Sequence, residues 1–269
     1  LFAYLVGKVL PPGLIAQHLP KLYAKQCFLN LSKFDSQAVE LIKNGHITWE
    51  VAVSKFGNKR PVWEACLPTM GYMAVLRNLR NMLKAGVDPE YLAGRIADPG
   101  AVLNSKQLPF RFFSAMRVLE GSHPEIYLAG RINEALASAM ETSVENVPKL
   151  PGHTLVAIDF SGSMDSRISK RSTVTRKEVG MVMGAIAVKL TGGAVAIFGE
   201  DRAFVPQVTS ANSILGNVDI LHSRANSVGH ATNAYLVLKD ITERQLNFDR
   251  IIPVSYTHLR AHETSLHLV

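Results

Sequence analysis

The stretch Thr154-Leu-Val-Ala-Ile-Asp159-Phe-Ser161-Gly-Ser163-Met decides the fold of the second half of this chain. Its start is almost wholly apolar, which is typical of a strand buried on both faces of a sheet. The apolar run stops at Asp159, and the pattern Asp-x-Ser-x-Ser follows. Open α/β sheets bind their ligands at the carboxyl ends of their strands. The stretch therefore predicts a central strand that ends in a loop of ligand oxygens.

The side chains of this loop suit a divalent cation, and Mg2+ in particular. Mg2+ prefers hard oxygens, keeps several waters and needs few protein ligands. Asp159 supplies charge, while Ser161 and Ser163 supply neutral oxygens. Thr232 lies in a second polar loop that opens a helix and would face the first loop. We expect these four residues to hold the ion; the alternative is an ordinary strand-to-helix turn rich in capping residues.

Catalytic interpretations of the loop fit less well. A nucleophile elbow needs Gly-x-Ser-x-Gly, but Asp159 stands where the first glycine is required. A Gly-x-x-x-x-Gly-Lys-Ser/Thr phosphate loop is absent from the sequence. No histidine sits near enough in the pattern to serve as a base for either serine. We therefore expect a binding site and no enzyme, with a hydrolase as a distant alternative.

The composition indicates a globular protein with a mild basic excess. Apolar residues make up 47% of the chain and the mean hydropathy is +0.11. There are 29 Lys and Arg against 22 Asp and Glu, a net charge of +7 that favours polyanionic partners. Cys27 and Cys66 occur in apolar helical surroundings, which indicates buried free thiols in a reducing compartment. The apolar start is too short to span a bilayer. We expect a cytoplasmic protein without a membrane partner.

Residues 1–148 are helical in pattern, with frequent Pro and Gly between short elements. The hexapeptide Tyr91-Leu-Ala-Gly-Arg-Ile96 returns as Tyr127-Leu-Ala-Gly-Arg-Ile132, 36 residues later. This spacing suits stacked helical pairs. Chance similarity between two short amphipathic helices is the alternative.

From residue 149 the pattern alternates strand and helix, which predicts a mostly parallel sheet with helices on both faces. We expect strands at residues 154–158, 193–198 and 203–208, and a last one around Ile251 and Ile252. The domain boundary falls at 148, the α/β domain runs from 149 to 254, and residues 255–269 are expected to be a non-native tail.

Two groups of basic residues are candidates for phosphate contacts. The predicted helix from Tyr72 to Lys84 carries an apolar stripe on one face and Arg77, Arg80 and Lys84 on another. Around Gly57-Asn58, a second cluster comprises Lys55, Lys59 and Arg60. The alternatives are a solvated helix face and a solvated turn.

The cation loop resembles the metal-ion-dependent adhesion site of von Willebrand factor A domains. In that family, Asp-x-Ser-x-Ser and a Thr of the following loop hold Mg2+, and Asp159, Ser161, Ser163 and Thr232 match these ligands. The family also uses an Asp from a third loop, which should follow Ile251-Ile252. That Asp is missing here, so the resemblance implies a weakened affinity for Mg2+ or another divalent cation.

The run Val62-Trp-Glu-Ala-Cys-Leu-Pro-Thr-Met-Gly-Tyr-Met-Ala-Val-Leu-Arg77-Asn-Leu-Arg80 resembles TROVE modules, the RNA-binding part of Ro ribonucleoproteins. So does Leu108-Pro109-Phe110 before a later helix. The resemblance implies an all-α helical-repeat (HEAT-like) domain followed by a doubly wound von Willebrand A-type (Rossmann-like) domain, truncated at both ends.

The resemblance also implies a non-catalytic scaffold. The family binds Y RNAs on the outside of a helical ring and misfolded RNA ends in its hole. We therefore expect small structured RNA as partner, no DNA, and a protein partner at the metal site as a second expectation. The alternative is a metal-dependent protein–protein interaction module that binds no RNA.

Overall fold

The protein is described by a computed structural model over residues 12–44, 47–120, 126–170 and 172–256. The chain divides into two compact units, one up to Leu92 and one from Ala93 onward. Within the described ranges, no helix is long and apolar enough to cross a membrane. The predicted tail beyond Tyr256 lies outside the described residues.

The first unit is helical. Its helices are α1 (Pro12–His18), α2 (Pro20–Asn30), α3 (Ser36–Lys43), α4 (Trp49–Phe56), α5 (Arg60–Cys66), α6 (Tyr72–Lys84) and the start of α7 (Pro89–Ala97).

Local sequence signals set the ends of these helices. The Asp35 carboxylate accepts a hydrogen bond from the amide of Ala38 and caps α3. Gly57 ends α4 with a φ of +86°, a conformation that glycine adopts without a steric penalty. The predicted helix α6 begins and ends at the expected residues. Trp63 and Met82 are buried in the core of the unit.

The second unit combines further helices with a four-stranded sheet. The strands run in the order β3-β2-β1-β4; β1 is parallel to β2 and β4, and β3 is antiparallel to β2. The elements are the end of α7, α8 (Pro99–Ser105), α9 (Pro109–Glu120), α10 (Ile126–Ser143), β1 (Thr154–Asp159), α11 (Arg176–Thr191), β2 (Ala194–Phe198), β3 (Arg202–Phe204), α12 (Ile214–Ser223), α13 (Tyr235–Glu243) and β4 (Arg250–Val254).

The prediction for β3 was partly wrong, because this strand covers three residues and ends well before Val208. The amide of Val205 still bonds the carbonyl of Val195, but Pro206 follows and has no amide hydrogen to donate. The other strands match the predicted positions within one or two residues.

Helices cover both faces of the sheet, as the alternating pattern predicted. Leu155 and Ala157 of β1 share a core cluster with Val237 of α13. The alternate residues of β1 face α11, where Gly184 lies so close to Ile158 that an added Cβ would be 2.3 Å from its Cδ1 atom. The side chains of β1 thus point alternately to the two helical layers.

Helices α9 and α10 belong to the same compact unit as the sheet. Arg117 of α9 pairs with Glu178 of α11, and Glu141 of α10 lies 3.0 Å from Lys189 of α11. These ion pairs tie helices from before position 148 to the α/β part of the chain. The compact division falls at Leu92. The boundary at 148 marks a change of sequence pattern and stays a prediction of domain organisation.

Candidate cation site and nucleic-acid interface

Asp159 is the fixed point of the first loop. It is the last residue of β1 and is fully buried, in line with the strand's position in the middle of the sheet. Its Oδ1 atom accepts a hydrogen bond of 2.8 Å from the amide of Ser161. Such a bond from the backbone two residues on makes an Asx turn, which reverses the chain directly after the strand.

The two serines of the loop converge. The hydroxyls of Ser161 and Ser163 are hydrogen-bonded to each other, with their Oγ atoms 3.1 Å apart; Ser161 is buried and Ser163 is exposed. Adjacent oxygens around an octahedral Mg2+ with bonds of 2.0–2.1 Å are separated by about 2.9 Å. The hydroxyl spacing is therefore close to what such an ion requires.

Backbone contacts bring the second loop to the first. The amide of Gly162 donates a hydrogen bond of 2.9 Å to the carbonyl of His230. The half-buried Thr232 lies two residues further on. The loop also packs against the end of β2, because a Cβ added at Gly199 would lie 2.5 Å from the carbonyl oxygen of Gly229. The loop carrying Thr232 is thus held beside the loop carrying Ser161 and Ser163.

Ser255 occupies the third loop, where the resemblance predicted a missing ligand. Its Oγ atom donates a hydrogen bond of 2.6 Å to the Oδ2 atom of Asp159. From the sequence, Ser255 is assigned to the expected non-native tail, and that boundary stays a prediction.

Charged groups surround the loop, but carboxylates are few within it. Lys177, which is buried, pairs with Asp165 at 2.6 Å, and the Arg176 guanidinium lies 3.4 Å from the carbonyl oxygen of Ser163. In the part of the chain that the structure describes, no three His, Cys, Asp or Glu side chains cluster as a metal site. A carboxylate from Asp159 together with serine and threonine hydroxyls is a set of oxygen ligands that fits a hard cation. Asp159 is the one charged ligand among these candidate residues.

The basic face of α6 is exposed as predicted. Arg77, Arg80 and Lys84 all lie on the solvent side of the helix, while Val75 and Leu79 are buried on the other side. Three cations on one helix face form a row that can follow a phosphate backbone.

The cluster around Gly57 is less available for a ligand. Lys55 is half-buried, donates a hydrogen bond to the carbonyl of Leu29 and lies 5.3 Å from the ring centroid of Phe56. Arg60 pairs with Glu64 at 2.7 Å. Lys59 is exposed. Two of the three predicted residues therefore already have partners within the protein.

Part of the helical half is similar to a known protein family. Residues 42–123 match the family model of the TROVE domain. Telomerase protein component 1 of Mus musculus is 40% identical over 73 residues, which is 25% of this chain and 3% of that protein. The Rattus norvegicus protein of the same name is 38% identical over 73 residues. The chain therefore spans a very small part of these relatives.

Most of the fold is also similar to a solved structure. The crystal structure of the Deinococcus radiodurans Ro (RSR) protein matches with a TM-score of 0.67 at 21% sequence identity. The match covers 88% of this chain and 50% of that chain, so this chain spans half of the Ro structure. Its helices followed by a mixed sheet correspond to a helical-repeat domain and a von Willebrand A-type domain. Residues 42–123 are therefore similar to a TROVE domain, and the fold of the chain is similar to that of the Ro protein.

Proposed function

We propose that this protein is a non-catalytic, RNA-binding component of a ribonucleoprotein. Its ligand is small structured RNA of the Y-RNA kind, and misfolded RNA is a second ligand. The observation that carries the proposal is the exposed row of Arg77, Arg80 and Lys84 on α6, inside the residues that match the TROVE domain. The proposal includes a cytoplasmic location and no DNA or membrane partner.

Phosphate contacts are the physical basis of this binding. Arg and Lys that neutralise phosphates release counterions, so the affinity falls linearly with the logarithm of the salt concentration. Each lost contact reduces the slope by about 0.7 to 0.9. Among the proposed contacts, Lys59 is an exposed addition, while Lys55 and Arg60 would first have to leave their present partners.

Charge reversal tests the proposal directly. The triple variant Arg77→Glu, Arg80→Glu, Lys84→Glu should weaken binding of a structured small RNA about tenfold or more. The matched control reverses three other exposed lysines, Lys21, Lys33 and Lys43, and so changes the net charge equally. An equal loss of RNA affinity in both triple variants would refute a specific role for α6.

The α/β domain supports a second candidate function, a metal-dependent protein–protein interaction. Two contacts favour it: the Asp159 carboxylate accepts from the Ser161 amide, and the Ser161 and Ser163 hydroxyls are hydrogen-bonded to each other. These residues and Thr232 would hold Mg2+, which would supply an open coordination position for an acidic side chain of a partner. If Mg2+ raises the melting temperature but RNA binds under no condition, the interaction module is the better proposal.

A further inference from the structure

We propose that a cavity at the amino-terminal edge of the sheet binds an uncharged heteroaromatic ring with an N–H donor, such as a nucleobase. The cavity has a volume of about 350 Å3 and lies within the second compact unit. It is next to the starts of β1 and β2, whereas the cation loop follows the end of β1. The site is therefore separate from the cation loop, and it does not depend on the basic face of α6.

His153, one of the residues that line the cavity, is fixed by the segment before β4. Its backbone amide donates a hydrogen bond of 2.7 Å to Oδ2 of Asp249, and its carbonyl accepts one of 2.8 Å from the amide of Asp249. The imidazole lies against the ring of Phe248, with 4.6 Å between the ring centroids. These contacts hold the imidazole in one place at the wall of the cavity.

The imidazole of His153 offers a hydrogen-bond acceptor to a ligand. Its Nδ1 atom lies 2.6 Å from the carbonyl oxygen of Asn247. A carbonyl oxygen can only accept, so Nδ1 carries the hydrogen and Nε2 of the neutral ring keeps its lone pair. Within the residues that the structure describes, Nε2 has no hydrogen-bond partner. A ligand with an N–H group can therefore donate to it.

Thr209 and Ser210 add two hydroxyls to the lining. The side chain of the buried Asn217 accepts from the amide of Thr209 at 3.2 Å and donates to its carbonyl at 2.8 Å. These two bonds fix the backbone that carries the Thr209 hydroxyl. In the described part of the chain, neither hydroxyl is hydrogen-bonded, so each can donate to or accept from a ligand.

The rest of the lining is apolar and uncharged. Val195, Phe204 and Val208 supply apolar surface, while Gly192 and Gly193 leave backbone without side chains. None of the described residues that line the cavity is Asp, Glu, Lys or Arg. Burying a charged group without an opposite charge is costly, so this lining disfavours a ligand held by its phosphate or carboxylate. An apolar lining with a few polar groups is typical of sites for uncharged small ligands.

A nucleobase has the chemistry that this lining matches. Its faces can stack on aromatic and aliphatic side chains, and its edge carries N–H donors beside acceptors. The N–H group would donate to Nε2 of His153, and the hydroxyls of Thr209 and Ser210 would bond the acceptors. A pure hydrocarbon would leave these three polar groups unpaired, which costs binding free energy.

Isothermal titration calorimetry of the full chain with adenosine, cytidine, guanosine and uridine tests the site. We expect at least one nucleoside to bind and inorganic phosphate not to bind. His153→Asn keeps an N–H group for the carbonyl of Asn247 but lacks Nε2, so it should weaken binding about tenfold. Thr209→Val removes a hydroxyl and keeps the shape, so it should weaken binding about threefold. His222→Asn is the matched control, because His222 is exposed on α12. Thermal melts check that each variant folds.

A second arm distinguishes a free nucleoside from an unpaired base of RNA. A single-stranded oligoribonucleotide is titrated into the Arg77, Arg80 and Lys84 triple variant, with and without His153→Asn, so that α6 does not supply the contact. Nucleoside binding that is weakened by His153→Asn supports a small-molecule site. Binding of the oligoribonucleotide alone, with the same weakening, supports a site for a base of RNA.

Two results would overturn the proposal: no binding in either arm, or equal binding with and without His153→Asn. Neither result bears on RNA binding by α6, because that binding is measured separately with structured RNA and the wild-type helix.

Discussion

Glu141 of α10 accepts a hydrogen bond from the backbone amide of Ile214, the first residue of α12. The first amides of a helix have no partner within it, so the carboxylate satisfies a donor that would otherwise be unpaired. Its second oxygen lies 3.0 Å from Nζ of Lys189 in α11. One side chain from the helical half of the sequence thus joins two helices of the α/β part.

We predict that Glu141→Ala lowers the free energy of unfolding by about 1–2 kcal/mol, because a helix amide and Lys189 both lose their partner. Urea unfolding of the full chain measures the change. Glu141→Gln keeps an acceptor for the amide of Ile214, so it should lower the free energy of unfolding by less than Glu141→Ala does. Glu145→Ala is the control, since Glu145 is exposed. Equal midpoints for Glu141→Ala and wild type would show that this contact does not stabilise the unit.

A second prediction concerns the close approach of α11 to β1. An alanine Cβ at Gly184 would lie 2.3 Å from Cδ1 and 2.9 Å from Cγ1 of Ile158. Overpacking of this kind costs about 1–3 kcal/mol, which outweighs the helix propensity of about 1 kcal/mol that alanine gains over glycine. Gly184→Ala should therefore lower the melting temperature.

Gly94→Ala provides the control, because nothing lies within 4 Å of an added Cβ in α7. This variant should be neutral or slightly stabilising. The packing of α11 on β1 would be contradicted if both alanine variants melted at the same temperature as the wild type.

A third prediction concerns pH. The hydrogen bond from Arg202, at 2.6 Å, holds the pKa of the buried Asp240 below its ordinary value, and the charge of Arg244 acts in the same direction. Because the folded-state pKa is depressed, the stabilisation is present above the unfolded pKa of about 4 and is lost as the pH falls through the folded value.

Asp240→Asn should consequently melt below wild type at pH 7, and the difference should shrink as the pH falls below about 4. Melting curves between pH 2 and pH 7, with the exposed Asp219→Asn as control, measure the effect. A difference that does not depend on pH would mean that Asp240 contributes through packing alone.

The cysteines give a fourth prediction. Burial raises the pKa of the Cys66 thiol to about 11, so the reactive thiolate is scarce near pH 8. Cys27 is only half-buried, although the sequence predicted that both thiols are inside. A thiol reagent at pH 8 should label Cys27 in the folded protein and Cys66 only after denaturation. Rapid labelling of both residues without denaturant would contradict the burial of Cys66.

The sequence predicted those elements whose ends carry strong local signals. Helix α6 begins and ends where expected, because its apolar stripe has the helical period and Gly71 and Gly86 flank it closely. The Asp98 carboxylate caps α8 by accepting a hydrogen bond of 2.7 Å from the amide of Ala101.

Features that depend on contacts distant in sequence were harder to predict. Both copies of the repeated hexapeptide lie in helices, but one is in the short α7 and the other begins the longer α10. The repeat therefore marks similar local sequence, and a solenoid stays a prediction. The compact unit that begins at Ala93 also contains the ion pair of Arg117 with Glu178, which are 61 residues apart.

The cation loop also combines contacts that are close in sequence with one that is distant in sequence. Spacing along the chain identified Asp159, Ser161 and Ser163, because all three lie in one turn after a strand. Ser255 is 96 residues from Asp159, and only the parallel pairing of β1 with β4 brings the two together. Sequence patterns within one segment do not contain that information.

The most direct test of the central proposal is a salt-titrated binding curve of the protein with structured small RNA, measured with and without Mg2+. The account predicts binding that weakens steeply as salt rises and does not depend on Mg2+, with a shallower slope for the Arg77, Arg80 and Lys84 triple variant. Absence of binding at every salt concentration, or binding that requires Mg2+, would contradict RNA recognition by the basic face of α6.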